Sequence, residues 1–473
     1  MTKELKLKDY FIGDRNFYSR VIKILIPIII QNTVTNVVSL LDNVMVGRVG
    51  TLEMSAVAIV NQLLFIFYIC IFGGISGAGI FSAQFAGAED HKGVRNCFRF
   101  KTYIAVAMFI IALAVFLIFP EQLISMYLAE GTSPADAAAT MSFAREYLLI
   151  MLVGILPFAL AQVYGSTLRE IGETKLPMLA SVTAILVNLV LNYILIFGNK
   201  GLPFLPFEPM GVAGAAIATV ISRFAELAII ILAVHRKNGK YQFTHRLWAG
   251  LSIPKSLTVN ILKKGTPLLI NEFLWSLGVA MLLQCYSIRG LDVVAAANIT
   301  QTVANLFNVV FLSIGNAVAI MVGQQLGAGK TTEAKVSVWR LLTLTVVSCI
   351  VMGGAMLLTA PYIPYMYNTT ESVRHTATEL LDVVAIAMPF MGFSHSCYFT
   401  LRSGGKTMIT LIFDCAFMWF GSFATAFVLA NFTSLPILPL YAIVQGLEVI
   451  KCIIGFILVK KGVWVNNLAK QVK

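Results

Sequence analysis

Two stretches of this chain, each covering two membrane-length apolar segments, align without a gap at an offset of 240 residues. Pro27 pairs with Pro267, Gly50 with Gly290, Ala56 with Ala296 and Ile59 with Ile299. Phe67 pairs with Phe307, Ile80 with Ile320, Gln84 with Gln324, and Gly87-Ala88 with Gly327-Ala328. A constant offset that carries Pro, Gln and Gly identities marks a duplication. A duplicated membrane bundle is the usual build of a secondary transporter, with the substrate path between its halves. A second signal supports it: Leu168-Arg169-x-x-Gly172-x-Thr174 recurs as Leu401-Arg402-x-x-Gly405-x-Thr407.

The duplicated unit is membrane-embedded. The 473 residues are 58% apolar and only 12% charged, where a soluble domain carries about 25% charge. Spanning a bilayer as a helix takes roughly 20 mainly apolar residues. Twelve runs qualify, near 21–46, 55–83, 100–119, 146–165, 177–198, 211–234, 265–288, 294–325, 341–360, 380–400, 407–430 and 436–459. The fold expected is an all-α integral membrane protein of twelve transmembrane helices in two pseudo-symmetric six-helix bundles. An even number of spans per half sends both halves through the bilayer in one direction, with the symmetry axis along the membrane normal. The division is an N-terminal lobe at 1–235, a basic linker at 236–264 and a C-terminal lobe with a short tail at 265–473. Lys23 and Asp42 make the first run too long and too polar for a cleaved signal.

The net charge of +12 is a topology signal rather than a nucleic-acid footprint. With the N-terminus inside, Lys and Arg crowd the inner segments and only Arg48, Arg145, Lys200, Arg289 and Arg374 fall outside. The positive-inside rule then puts both termini in the cytoplasm and gives the inner face an attraction for anionic lipid. The seven cysteines form no CxxC pair, so neither a disulfide framework nor a zinc site is indicated. Walker A, HExxH and GxSxG signatures are missing, so the energy comes from an ion gradient, a partner, or nothing.

Charged residues inside spans are costly and are candidates for function. Asp42 is the sharpest, near the outer end of span 1. Asn188 and Asn192 lie four apart on one face of span 5, and Thr219 lies early in span 6. At about 1.5 Å rise per residue all four share a depth. A carboxylate, two amide carbonyls and a hydroxyl form an all-oxygen set suited to a hard cation such as Na+, or to a proton on the acid. Packing through interhelical hydrogen bonds is the competing account of the asparagines. Glu272 in span 7 and Asp414 in span 11 are candidate coupling or substrate residues of the second half. Their positions do not repeat Asp42, whose counterpart is Leu282. Arg223/Glu226 and Glu448/Lys451 are spaced i,i+3 and can neutralise themselves along their helices. His395 reads as a packed histidine or a proton relay. Pro27 and Pro267 each remove a backbone hydrogen bond, giving a static kink or a bend point for a moving lobe.

These residues resemble a family. The run Pro27…Asp42-Asn43-Val44-Met45-Val46-Gly47-Arg48-Val49-Gly50 looks like the start of a multidrug and toxic compound extrusion (MATE) transporter. So do the Gln84…Gly87-Ala88 and Gln324-Gln325-Leu326-Gly327-Ala328-Gly329 span ends, the Leu-Arg-x-x-Gly turns and Gly211-Val212-Ala213-Gly214-Ala215-Ala216-Ile217-Ala218-Thr219. The resemblance implies two six-helix lobes around a central cleft. It implies export of amphipathic, mostly cationic drugs or toxic metabolites in exchange for Na+ or H+, without a cofactor, by a monomer in a bacterial plasma membrane. It assigns Asp42 as the acid of the N-terminal site, Asn188 as its partner and Thr219 as a further oxygen ligand. Asn192 stands where some members carry a second aspartate. Glu272 matches a span 7 acid of another branch, whose span 10 aspartate is absent from Pro389–Ser396. Two alternatives remain at this point: a lipid-linked precursor flippase of the same superfamily, and a membrane-embedded transferase. An ion channel is disfavoured by the duplication and the lack of a filter-like loop.

Overall fold

The computed structural model describes residues 10–127, 133–201, 206–236, 240–250, 252–367 and 369–471. The N-terminal Lys3, Lys6 and Lys8, and the side chains at 40, 43 and 44 in the motif around Asp42, fall outside the described set. No strand occurs among the described residues, and twelve helices are long and apolar enough to cross a membrane. They are α1 (Arg15–Gly47), α2 (Thr51–Gly87), α3 (His91–Ile118), α4 (Pro134–Glu170), α5 (Lys175–Gly201) and α6 (Gly211–Arg236). The second half gives α7 (Lys255–Ser287), α8 (Leu291–Gly327), α9 (Thr331–Thr359), α10 (Glu371–Ser403), α11 (Thr407–Phe432) and α12 (Ile437–Lys460). The spans outrun the apolar runs read from sequence because helix continues past the hydrophobic stretch wherever a cap is supplied. Asp14 accepts from the Phe17 amide at 2.9 Å before α1, and Ser133 accepts from the Asp136 amide at 3.1 Å before α4. The largest such difference is α7, which starts at Lys255 inside the stretch expected to be linker.

Two compact units emerge. Unit 1 comprises Met1–Ile29, Ile80–Asp90 and Val259–Lys473; unit 2 comprises Ile30–Gly79 and His91–Thr258. The division crosses α1 two residues after Pro27, and it crosses α2 between Gly79 and Ile80. In unit 2, α6 packs on α4 and α5, and α3 packs on α4. In unit 1, α10 packs on α8, α9 and the second part of α12. With the bilayer as solvent there is no hydrophobic drive between helices, so close fit and polar contacts hold them.

The duplication is visible in atoms. Pro27 and Pro267 are both buried within continuous helices. Gly172 and Gly405, the repeated turn glycines, both take positive φ, 88° and 70°. Gly87 and Gly327 face one another's helices within unit 1. A Cβ on Gly87 would collide with the Gln324 carbonyl, and one on Gly327 with the Gln84 carbonyl. This reciprocal approach requires glycine on both sides.

The last residues complete unit 1. Gln84 is fully buried, and its amide donates to the Ser403 carbonyl at 3.0 Å and the Asn466 carbonyl at 3.2 Å. Its Oε1 accepts from the Leu468 amide at 2.6 Å. Asn466 donates to the Gly404 carbonyl and Asn467 to the Gly327 carbonyl. Trp464 is buried beside them.

Candidate functional site

Asp42 belongs to the last turns of α1, and α5 brings two amides to it. Asn192 Nδ2 donates to Asp42 Oδ1 at 2.7 Å and lies 3.1 Å from Asn188 Oδ1. Asn188 also meets Thr219 Oγ1 of α6 at 3.3 Å. The four residues nominated from sequence therefore form one contiguous cluster in unit 2, with Asn188 and Asn192 buried. The i,i+4 spacing on α5 stacks the amides, and α6 packs against α5 to deliver the hydroxyl.

Two features of the cluster bear on its chemistry. First, no Lys, Arg or His lies within salt-bridge distance of Asp42 among the described residues. Second, the acceptors outnumber the donors. Asn192 Oδ1 is buried without a partner. The end of the Asn188 amide nearest the carboxylate lies 3.1 and 3.3 Å from its two oxygens. With nitrogen at that end, the amide donates to a bare carboxylate and accepts from Thr219. Among the described residues no group of three or more His, Cys, Asp or Glu could hold a metal. A cation at Asp42 would thus rest on neutral amide and hydroxyl oxygens.

Near this cluster Tyr147 donates to Asn61 Oδ1 at 3.4 Å. Arg223 does not pair with Glu226, as its spacing suggested. It donates to the Tyr68 hydroxyl and lies 5.0 and 5.2 Å from the Tyr68 and Phe158 ring centres. Glu226 accepts from Ser181, which accepts from Gln31 at 2.8 Å. The other buried acid of unit 2, Glu170, holds the fully buried Lys101 ammonium at 2.7 Å. Sequence reasoning counted Lys101 as inner-surface charge and missed this pair; the Glu at the end of α4 was the available signal.

In unit 1, Glu272 and Asp414 sit in a different setting. Arg402, read from sequence as a turn residue, approaches Glu272 at 3.7 Å. Asp414 receives the Lys451 ammonium at 2.7 Å and the Asn271 amide at 3.1 Å. Glu448 lies 3.9 Å from Lys451, so the i,i+3 pairing on α12 exists but is the weaker one. Ser394 donates to Glu448 at 2.8 Å. The backbone is irregular here: residues Ile412–Phe423 of α11 form a π-helix, and α12 breaks at Leu447. His395 packs among Phe311, Tyr398 and Phe399, and its Nε2 has no partner. The packing account of His395 fits this ring of aromatics. A cavity of about 410 Å³ in unit 1 lies beside Phe17, Arg20, Gln325 and Arg340, away from every residue nominated for the site.

A duplicated twelve-span α-helical bundle, with a carboxylate left among neutral oxygens inside the membrane, defines a secondary transporter. The MatE family profile matches residues 27–194 and 267–425, and the chain belongs to that family, the MATE transporters. Among its relatives, the probable multidrug resistance protein NorM of Thermotoga maritima is 25% identical over 418 residues, covering 88% of this chain and 86% of the relative. The probable multidrug resistance protein YoeA of Bacillus subtilis is 24% identical over 424 residues, 88% of each chain. A crystal structure of a mutant of the Vibrio cholerae MATE transporter VcmN superposes with a TM-score of 0.85 at 18% identity, covering 96% of this chain and 99% of that one. The fold and the family are those expected. The protein is a multi-pass transporter and not an enzyme, which removes the transferase alternative.

Proposed function

We propose that this protein exports amphipathic, mostly cationic drugs or toxic metabolites across the plasma membrane, exchanging them for Na+ or H+ at Asp42. The observation that carries the reading is the Asp42 cluster: one carboxylate without a basic neighbour, an amide donating at 2.7 Å, and an unpartnered amide oxygen beside it. A buried carboxylate in that setting needs a mobile positive charge. Neutral oxygens at Asn188, Asn192 and Thr219 favour Na+ over a two-acid proton site. The names of the NorM and YoeA relatives support multidrug export.

In the mechanism, substrate enters from the cytoplasm or inner leaflet and the ion from outside binds Asp42, so that drug and ion exclude one another through alternating access. An ion moves this equilibrium only by its differential affinity for the two states. The boundary between the compact units falls beside Pro27 in α1 but eight residues before Pro267 in α7, which favours Pro27 as the bend point. The two lobes, the cytoplasmic linker and the inward-facing termini follow the positive-inside reading. Arg223, on which a lipid-phosphate flippase would depend, donates through Nη2 to Tyr68 and lies against the Phe158 ring, while its Nη1 has no partner. The test is dye efflux from vesicles under separately imposed Na+ and pH gradients. Wild type should respond to one gradient, and Asp42→Asn should lose that response. Gradient-driven export at the wild-type rate in Asp42→Asn would overturn the assignment.

A further inference from the structure

Unit 1 holds an ionic centre whose charges do not cancel. Glu272 and Arg402 form one pair at 3.7 Å. The remaining group is a triad in which Asp414 and Glu448 share the single ammonium of Lys451, at 2.7 and 3.9 Å. Asp414 is the better neutralised of the two, since it also accepts from Asn271. The surplus negative charge therefore rests on Glu448, whose protein donor is the neutral Ser394 hydroxyl. A second, independent observation lies next to it. Asn271 is 1% exposed and spends its amide nitrogen on Asp414, yet its Oδ1 has no partner. A buried amide oxygen left without a donor is destabilising, so a ligand bearing N–H groups would relieve it. The centre is reachable, because the Lys451, Asp414 and Glu448 side chains keep 12%, 16% and 20% exposure.

We infer that Glu448, set beside the Lys451–Asp414 pair and the free Asn271 oxygen, is a docking point in unit 1 for one protonated amine or amidine of the transported substrate. Two acceptors and one uncompensated negative charge match a monocation that donates hydrogen bonds. They do not match a quaternary or phosphonium cation, which has no N–H for either acceptor and whose substituents hold its charge away from the carboxylate. Lys451 limits the centre to a single added positive charge. The Phe413 and Phe417 rings lie 5.5 and 5.8 Å from that ammonium, an apolar wall for the substrate body. The inference rests on the proposed export of organic cations and names where their nitrogen binds.

The test uses the purified full chain in detergent, where no gradient can concentrate a probe. Calorimetry compares 9-aminoacridine, a monocation with N–H donors, with tetraphenylphosphonium, which has none. Glu448→Gln keeps the contact with Ser394 and should weaken 9-aminoacridine at least about tenfold, the scale of one charge-assisted hydrogen bond, while tetraphenylphosphonium changes far less. Retained tetraphenylphosphonium binding in Glu448→Gln shows that the variant is folded, so its loss of 9-aminoacridine reads the docking role alone. A matched loss for both probes, or no loss for either, overturns the docking role and leaves the export reading standing. Failure of the wild type to bind either cation overturns the substrate class and the inference with it. Separately, loss of the ion response in Asp42→Asn vesicles tests export without reference to Glu448.

Discussion

Asp42 and Asp414 are both membrane acids in six-helix halves of common origin, and the chain treats them oppositely. In unit 2 the carboxylate meets the side-chain amides of Asn192 and Asn188, and the Thr219 hydroxyl touches the second of these. In unit 1 it is held by a lysine from the neighbouring span at 2.7 Å. A carboxylate with a tethered counter-ion has its positive charge permanently at hand, while one without must take it from solution. Duplication supplied the scaffold twice, and the placement of one lysine separates an acid with a tethered counter-ion from one without.

The comparison can be broken by experiment. The largest effect expected is loss of ion-driven efflux in Asp42→Asn, measured in vesicles. Next, Lys451→Met strands Asp414 and Glu448, and thermal unfolding should show a loss of about 3–5 kcal/mol, the usual consequence of removing one partner of a buried pair. Combining it with Asp414→Asn should recover most of that stability, since the pair is then replaced by neutral groups. If the single and double variants melt together, Lys451 is not the counter-ion of Asp414. Asn192→Ala removes the 2.7 Å amide contact to Asp42, and a hydrogen bond to a charged group contributes about 1.5–3 kcal/mol. The ion concentration for half-maximal exchange should shift about tenfold or more, with the unit 1 centre and its probe binding untouched.

The smallest effect concerns a pair outside the spans, where Lys240 meets Glu173, in the turn after α4, at 2.6 Å. Burial raises the Glu173 carboxyl, but the hydrogen bond and charge of Lys240 outweigh it, and the group ends below the usual carboxylate range. A depressed acid contributes stability above its unfolded pKa and loses it as pH falls through the folded one. With Lys240 half exposed, at 49%, the pair is worth less than about 1 kcal/mol. Glu173→Gln should lower the melting temperature slightly at neutral pH, and the difference from wild type should vanish below the carboxylate range.

The span count, the repeat and the meeting of Asp42 with Asn188, Asn192 and Thr219 were legible in the sequence. Hydropathy and i,i+4 spacing act along the chain, and an uncompensated aspartate in an apolar run announces itself. The partners of Glu272, Asp414 and Lys101 were not legible. Each lies on another helix, and i,i+3 spacing pointed Lys451 toward Glu448 when a neighbouring span offered a closer acid. The π-helix at Ile412–Phe423 also left no mark in the hydropathy or spacing of the sequence. Its Trp419 ring is anchored by the Leu274 carbonyl at 3.1 Å.

The seat of Gln84 has a consequence for biosynthesis. Its amide partner Asn466 and its acceptor contact with Leu468 lie 382 and 384 residues further along the chain. At roughly 5–20 residues per second, a ribosome needs about 20–80 s to deliver them. Throughout that interval the C-terminal end of the second helix lacks these two partners. A premature stop that spares all twelve helices but drops the final dozen residues would therefore release a protein in which the Gln84 seat stays open.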